Sequence, residues 1–334
     1  MTAADEGATG ANGTGTTGTT AEKLAELHRR LEQAQDPGSE KAKARRDEAG
    51  LTTPRQRIAA LLDEGTFVEI GALGRTPGED DAPYGDGVVT GYGQVGGRTV
   101  AVYAHDKTVY GGSVGETFGK KVCEVMDMAI RIGCPVIGIN DSGGARIQDA
   151  VMSLAMYSEI SRRQLPLSGQ SPQISILLGP SAGGAVYAPV TTDFVVAVEG
   201  RTQMFVTGPA VIESVTGEKI SMEELGGARQ QARNGNVSYV ASSEEDAFNY
   251  VKDLLDFLPA STFDETPEFW APNDELTERD FELNDIIPDD PNAGYDIMEV
   301  LTRIFDDDNV LEVQGDYGSN VVTAFARIDG HAVG

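Results

Sequence analysis

The sequence predicts an α/β fold, and three observations carry that prediction. Between residues 116 and 199, short apolar runs alternate with amphipathic stretches, the pattern of buried parallel strands joined by helices. Two of those runs lead into the same Gly-Gly-Ala step, at Gly143-Gly144-Ala145 and at Gly183-Gly184-Ala185. The chain also repeats itself: IAALLDEGTFVEI (58–70) aligns with LTRIFDDDNVLEV (301–313), and VVTGYGQVGGRTV (88–100) aligns with VVTAFARIDGHAV (321–333). The chain therefore reads as one complete domain followed by the start of a second copy. A lone hairpin is marginal in water, so residues from about 295 are expected to be incomplete and the sequence to be a fragment.

Taken in order, residues 1–20 are Gly/Thr-rich with almost no large apolar groups, and predict a disordered tail. Residues 21–50 predict a helical arm: Leu24, Leu27 and Leu31 keep helical spacing, and the charged run EKAKARRDEAG continues or interrupts that helix. The first domain is expected over 51–290. It opens with a helix capped by Thr53, with Pro54 in its first turn and Gly65 as its stop, followed by the strand TFVEIGAL. GVVTGYGQVGGRTVAVYAHD then predicts a hairpin with a Gly-Gly turn. Gly91, Gly93 and Gly96 spell a dinucleotide fingerprint there, but that fingerprint must lead from strand into helix, so the match is spurious. Residues 116–132 predict an amphipathic helix with Val122, Val125, Met126, Ala129 and Ile130 on its core face. CPVIGIN predicts a buried strand, VMSLAMYSEISRR a helix, ISILL a second buried strand, GPSAGGA a loop into a short helix, and DFVVAVE another strand. Residues 291–334 form the beginning of the second copy.

Composition narrows the function. The net charge is −27, from 53 acids and 26 bases, which disfavours nucleic acid and anionic membranes as partners. Residues 244–316 hold 23 acids against three bases. With only eight lysines in the chain, this suggests an acid-coated surface suited to a cytoplasm of high salt, a halophilic habitat. Two cysteines, Cys123 and Cys134, make no framework of bridges and no zinc spacing, which agrees with a reducing, cytoplasmic setting and no metal. No apolar run reaches the roughly 18 residues of a membrane span.

Glycine admits a ligand close to the backbone, and free N–H groups at a helix start carry partial positive charge. Two such loops at neighbouring strand ends could converge on one oxygen as an oxyanion hole. The competing reading is a serine hydrolase, since Gly179-Pro180-Ser181-Ala182-Gly183 spells a nucleophile elbow. Its weakness is that only His331 follows Ser181, inside the repeated hairpin. His105 beside Asp106 is either a base or a structural histidine. Lys120, Lys121 and Arg146 stand near the glycine loops as phosphate ligands, or else as ordinary surface lysines and an ion-paired arginine.

At INDSGGARIQ, GPSAGGAVYAP, TDFVVAVEGRTQMFVTGP and SVTGE…EELGGA the sequence resembles the carboxyltransferase (beta) subunits of biotin-dependent acyl-CoA carboxylases, nearest the propionyl-CoA type, collinearly from about Leu24 to Gly334. The resemblance implies a crotonase-like (ClpP/crotonase) domain of ββα repeats plus the start of another. It implies carboxyl transfer from carboxybiotin, carried on a biotin carboxylase/biotin carrier partner, to the α-carbon of an acyl-CoA, with propionyl-CoA becoming methylmalonyl-CoA. In such enzymes the released biotin takes the α-proton, so a histidine-poor chain suffices. Carried over by motif, Gly183, Gly184 and Ala185 would form the hole for the thioester oxygen, while Gly143, Gly144 and Ala145, with Arg146, would bind substrate by lining the adjacent CoA channel or completing the hole. A homo-hexamer of full-length chains is implied. The pattern departs at Lys107, where HDKTV replaces a QDFTV-like stretch with an aromatic, and no four-cysteine ribbon precedes the domain. Sodium-pumping acyl-CoA decarboxylases share this subunit type, and an inactive CoA-binding fragment is the reading of a different class.

Overall fold

The computed structural model describes residues 18–79, 81–269 and 276–334. The tail expected over 1–20 falls mostly outside these residues, but Thr19 is described and caps a helix. The arm is two helices, α1 (Thr20–Gln35) and α2 (Glu40–Glu48). Asp36-Pro37-Gly38 interrupts them, because proline disfavours helix in the residue before it and Ser39 recaps the chain by accepting from the Ala42 N–H.

α3 (Pro54–Leu61) begins as expected, with Thr53 and Gln56 in a reciprocal capping box. β1 (Val68–Ile70), β2 (Val88–Val95) and β3 (Arg98–His105) form an antiparallel meander. Gly96 (φ 57°) and Gly97 (φ 76°) take the left-handed conformations that a two-residue hairpin turn requires. α4 (Glu116–Ile132) matches its sequence boundaries and ends on Gly133 at φ 67°. β4 (Val136–Ser142), α5 (Val151–Leu167), β5 (Gln173–Ala182), α6 (Gly184–Val190), β6 (Phe194–Val198) and the short β7 (Gln203–Phe205) follow. After α7 (Pro209–Thr216), α8 (Met222–Gly226) and α9 (Ala228–Arg233) come β8 (Tyr239–Ala241) and α10 (Glu244–Phe257).

The main sheet runs β1-β2-β3-β4-β5-β6-β8, antiparallel at first and parallel from β3 onward, with β7 added alongside the end of β5. One core lies between the sheet and α3 with α10, around Ile58, Leu61, Val102, Ile137, Ile176 and Leu254. A second lies beneath α4 and α5, around Phe118, Val122, Met126, Ile160 and Leu167, and a third around Leu177, Val186, Met204 and Ala228. Helices on both faces explain why β4 and β5 read as unbroken apolar runs. β5 is longer than ISILL: pairing with β7 through Pro180, Ser181 and Ala182 draws the GPSA of the expected loop into the strand.

Past α11 (Glu278–Phe281) and α12 (Leu283–Ile286), α13 (Ile297–Ile304), β9 (Leu311–Val313), β10 (Thr323–Ile328) and β11 (His331–Val333) reproduce the opening units down to their register. Ile70 faces Thr90 and, at the aligned positions, Val313 faces Thr323. Thr90 Oγ1 donates to Ile70 O at 2.8 Å and Thr323 Oγ1 to Val313 O at 2.6 Å. Asp63 accepts from the Gly96 and Gly97 N–H groups at 3.1 and 2.8 Å, and its counterpart Asp306 accepts from Asp329 and Gly330 at 3.2 and 2.8 Å. The small sheet docks on α10 by laying the Arg327 guanidinium over Phe257 (4.3 Å) and Phe269 (3.8 Å). Among the described residues no helix is long and apolar enough to cross a membrane.

Candidate active site

The carboxyl ends of β4 and β5 lie side by side, with Ser142 paired to Ser181. The two glycine loops therefore meet. Gly144 has φ +96°, and a Cβ there would stand 2.8 Å from the Ala182 carbonyl oxygen, so only glycine lets the main chains come this close.

In the first loop the Gly143 N–H donates to Gly111 O (3.1 Å) and the Gly144 N–H to Ser142 Oγ (3.1 Å). The Val114 N–H donates to Gly144 O (3.0 Å) and the Arg146 N–H to Val114 O (3.1 Å), bracketing Ala145 in a parallel bridge. The Ala145 N–H has no partner among the described residues. The loop does not open directly into a helix, as the sequence suggested. A 3-10 turn at Ile147–Asp149 intervenes, and Ala150 sits at φ 44°, ψ −122° before α5 begins.

In the second loop Gly183 (φ 57°, ψ −124°) turns the chain from β5 into α6. Its own N–H donates to Phe205 O at 3.1 Å, so it shapes the turn and is not the free donor the sequence reading made of it. The next two N–H groups, of Gly184 and Ala185, begin α6, where first-turn donors have no intrahelical acceptor, and no other partner is found among the described residues. A Cβ on Gly184 would lie 2.7 Å from the Tyr157 ring of α5.

The structure decides between the alternatives that the sequence left open for several side chains. Arg146 is buried, with Nη1 on Asp86 Oδ1 (2.7 Å), Nη2 on Asp86 O and Ser113 O (both 3.0 Å), and its guanidinium over the Tyr110 ring. Its two terminal nitrogens are thus spent on bracing the loop. Lys121 is likewise buried, on Gly85 O and Val88 O, and burial pulls its ammonium down to about 8. Lys120 pairs with Glu116 in solvent. Ser181 is 0% exposed and lies within β5, so it is no nucleophile at an elbow, and His331 belongs to β11, beside Glu268. His105 is buried with its edge against Phe118, and burial, reinforced by Arg57, holds it neutral down to about pH 3. A base taking protons near pH 7 needs a pKa near that pH, which His105 lacks.

Beside the first loop opens a cavity of about 390 Å³, reaching from the arm to Gly111 and Asp141. Arg45, Arg46, Arg57 and Lys107 line it against Asp106 and Asp141. Asp141, the penultimate residue of β4, is buried between Lys107 (2.7 Å) and Arg57 (3.5 Å), and Arg57 continues to Glu244 (2.9 Å) at the start of α10. Glycine at 179 is required because any Cβ would enter the Asp141 carboxylate. The sequence reading did not single out Asp141, Arg57 or the arm arginines; the available signal was a basic ARR inside an otherwise acidic chain. Cys123 and Cys134 are free and buried, and burial raises both thiols to about 11. Among the described residues no group of three or more His, Cys, Asp or Glu is placed to hold a metal.

Comparison with known proteins gives the arrangement a context. The chain is 56% identical over 315 residues to the biotin-dependent long chain acyl-coenzyme A carboxylase beta4 subunit of Mycobacterium tuberculosis, covering 94% of this chain and 60% of that protein. It is 49% identical over 327 residues to the propionyl-CoA carboxylase beta chain of Saccharopolyspora erythraea, with the same two coverages. It superimposes on a transcarboxylase 12S crystal structure, described as a hexamer with hydrolysed methylmalonyl-coenzyme A bound, at a TM-score of 0.90 and 39% identity, over 95% of this chain and 64% of that one. The α/β fold is accordingly the crotonase-like fold of those carboxyl transferases. The chain spans about 60% of the length of these curated relatives. The family model described as "Carboxyl transferase domain" matches residues 45–334, and the chain belongs to that family.

Proposed function

We propose that this chain forms the acyl-CoA side of a biotin-dependent carboxyl transferase, holding an acyl-CoA thioester while its α-carbon is carboxylated, with propionyl-CoA yielding methylmalonyl-CoA. The observation that carries this reading is the pair of touching glycine loops, which leave the N–H groups of Ala145, Gly184 and Ala185 unengaged at adjoining strand ends. When the α-proton leaves, its electron pair moves toward the thioester carbonyl and places negative charge on that oxygen. A preorganised main-chain donor there is worth roughly 3 kcal/mol in the transition state. In this reading Gly184 and Ala185 donate, Gly183 sets their direction, and Gly143, Gly144 and Ala145 line or complete the hole. Arg146 keeps the first loop in place. Biotin, carried on a partner subunit, supplies the carboxyl group and takes the α-proton. No residue of this chain is assigned to biotin, which agrees with a histidine held neutral by burial.

A longer acyl chain is the second reading, favoured by the higher identity to the long-chain subunit, 56% against 49% for the propionyl type. The test is reconstitution of the full-length chain with a biotin carboxylase/biotin carrier subunit, ATP and bicarbonate. Methylmalonyl-CoA formed from propionyl-CoA supports the first reading, carboxylation of only long-chain acyl-CoA supports the second, and carboxylation of neither overturns both. We also propose the division into an arm (21–50), a first domain (51–290) and the start of a second (291–334), a hexamer of full-length chains, and a cytoplasmic, salt-adapted habitat. The last requires the melting temperature to rise in molar potassium chloride.

A further inference from the structure

The cavity beside the first glycine loop carries a charge of the wrong sign for its surroundings. In a chain of net charge −27, its wall holds four cations, Arg45, Arg46, Arg57 and Lys107, against the two acids Asp106 and Asp141. Cavities of one sign focus their field and gather counter-ions. The four cations are not equally available. Arg57 is buried and bonded to Glu244, and Arg46 grips Asp36 through both terminal nitrogens at 2.9 and 3.3 Å. Arg45, on α2, has no ion pair among the described residues. Lys107, just past β3, is 47% exposed and held by one bond, Nζ to Asp141 Oδ1 at 2.7 Å. Asp141 keeps Arg57 at 3.5 Å if Lys107 turns away. None of the three cations that the sequence offered for phosphate opens into this cavity.

We infer that Arg45 and Lys107 form a clamp for the phosphate groups of the CoA ligand, so that the arm helix α2 is part of the substrate site. The inference rests on the acyl-CoA reading above. Asp141 is a positioning residue in it, holding Lys107 at the wall until an anion arrives. Its carboxylate also packs against Gly179 of β5, two residues ahead of Ser181 in the strand that carries the second loop, so ligand charge in the cavity and the spacing of the two loops act on the same side chain.

The experiment is calorimetric titration of the 334-residue chain with CoA at several potassium chloride concentrations, for the wild type and for Arg45→Gln, Lys107→Met and Lys107→Arg. Hydrogen bonds to charged groups carry enough free energy for each neutralisation to weaken CoA roughly tenfold. Each should also flatten the dependence of affinity on salt, whereas Lys107→Arg should keep both near wild type. Arg45 is exposed on a surface helix, so Arg45→Gln tests the clamp without disturbing the fold. If the wild type binds CoA and both neutral variants bind it equally well with the same salt dependence, the clamp is wrong and the acyl-CoA reading stands. If the wild type fails to bind CoA at millimolar concentration, both fall.

Discussion

Adding one methyl group at residue 184 should separate a catalytic main chain from a merely tight turn. An alanine Cβ at Gly184 would lie 2.7, 2.8 and 3.1 Å from three carbons of the Tyr157 ring, where ordinary contact begins near 3.4 Å. Either the ring or the α6 backbone must give by more than half an ångström. Tyr157 is seated on α5 against the core around Met156 and Ile160, so its retreat is resisted. Overpacking of this kind costs about 1–3 kcal/mol in stability. The backbone share of the shift moves the Gly184 and Ala185 N–H groups, and misplacement of about 1 Å at a reacting centre costs about 10²-fold in rate. Gly184→Ala should therefore lower the midpoint of urea unfolding modestly and cut carboxyl transfer in the assembled enzyme by about two orders of magnitude. Tyr157→Val in the same chain removes the obstructing ring and should restore much of both. Wild-type turnover in Gly184→Ala, or a double variant no better than the single one, would refute the argument.

Ser181→Ala should leave turnover within about threefold of wild type, because the hydroxyl is buried in β5; labelling of Ser181 by an active-serine probe would reverse that. Ala150→Gly should raise stability by about 1 kcal/mol, since φ 44°, ψ −122° is strained for any residue with a Cβ; a lower urea midpoint would contradict this. His105 carries a pH signature. Its folded pKa of about 3 lies below the unfolded 6.5, so between those values the unfolded chain binds the extra proton. The His105 contribution is present in full above pH 6.5 and is lost as pH falls toward 3, at up to about 1.4 kcal/mol per pH unit. His105→Gln should remove one proton from that slope in urea titrations from pH 4 to 7, and an unchanged slope would contradict burial of the neutral ring.

The elements that local sequence could read were those whose signals are local. Thr53 and Pro54 announced α3, Gly133 closed α4, Gly96-Gly97 turned the hairpin, and the repeat predicted the β9–β10 register because aligned positions make corresponding bonds in both copies. What local pattern missed was set by distant partners. GPSA reads as a loop until β7 arrives to pair with it, which buries Ser181 and leaves Gly183 alone to turn the chain. Arg146 reads as a phosphate ligand until Asp86, sixty residues earlier, claims it. The family motif carries Gly183 into the hole together with Gly184, but in the fold its N–H is taken by Phe205 O. The glycine pairs were legible as bare backbone; which of their N–H groups stay free depends on the fold.

The most direct test of the central claim is a crystal structure of this chain with a non-hydrolysable acyl-CoA thioether ketone. The account predicts the carbonyl oxygen within hydrogen-bonding reach, about 2.7–3.1 Å, of the Gly184 and Ala185 nitrogens, beside Ala145. A carbonyl bound elsewhere, with those N–H groups facing water or another part of the protein, would contradict it.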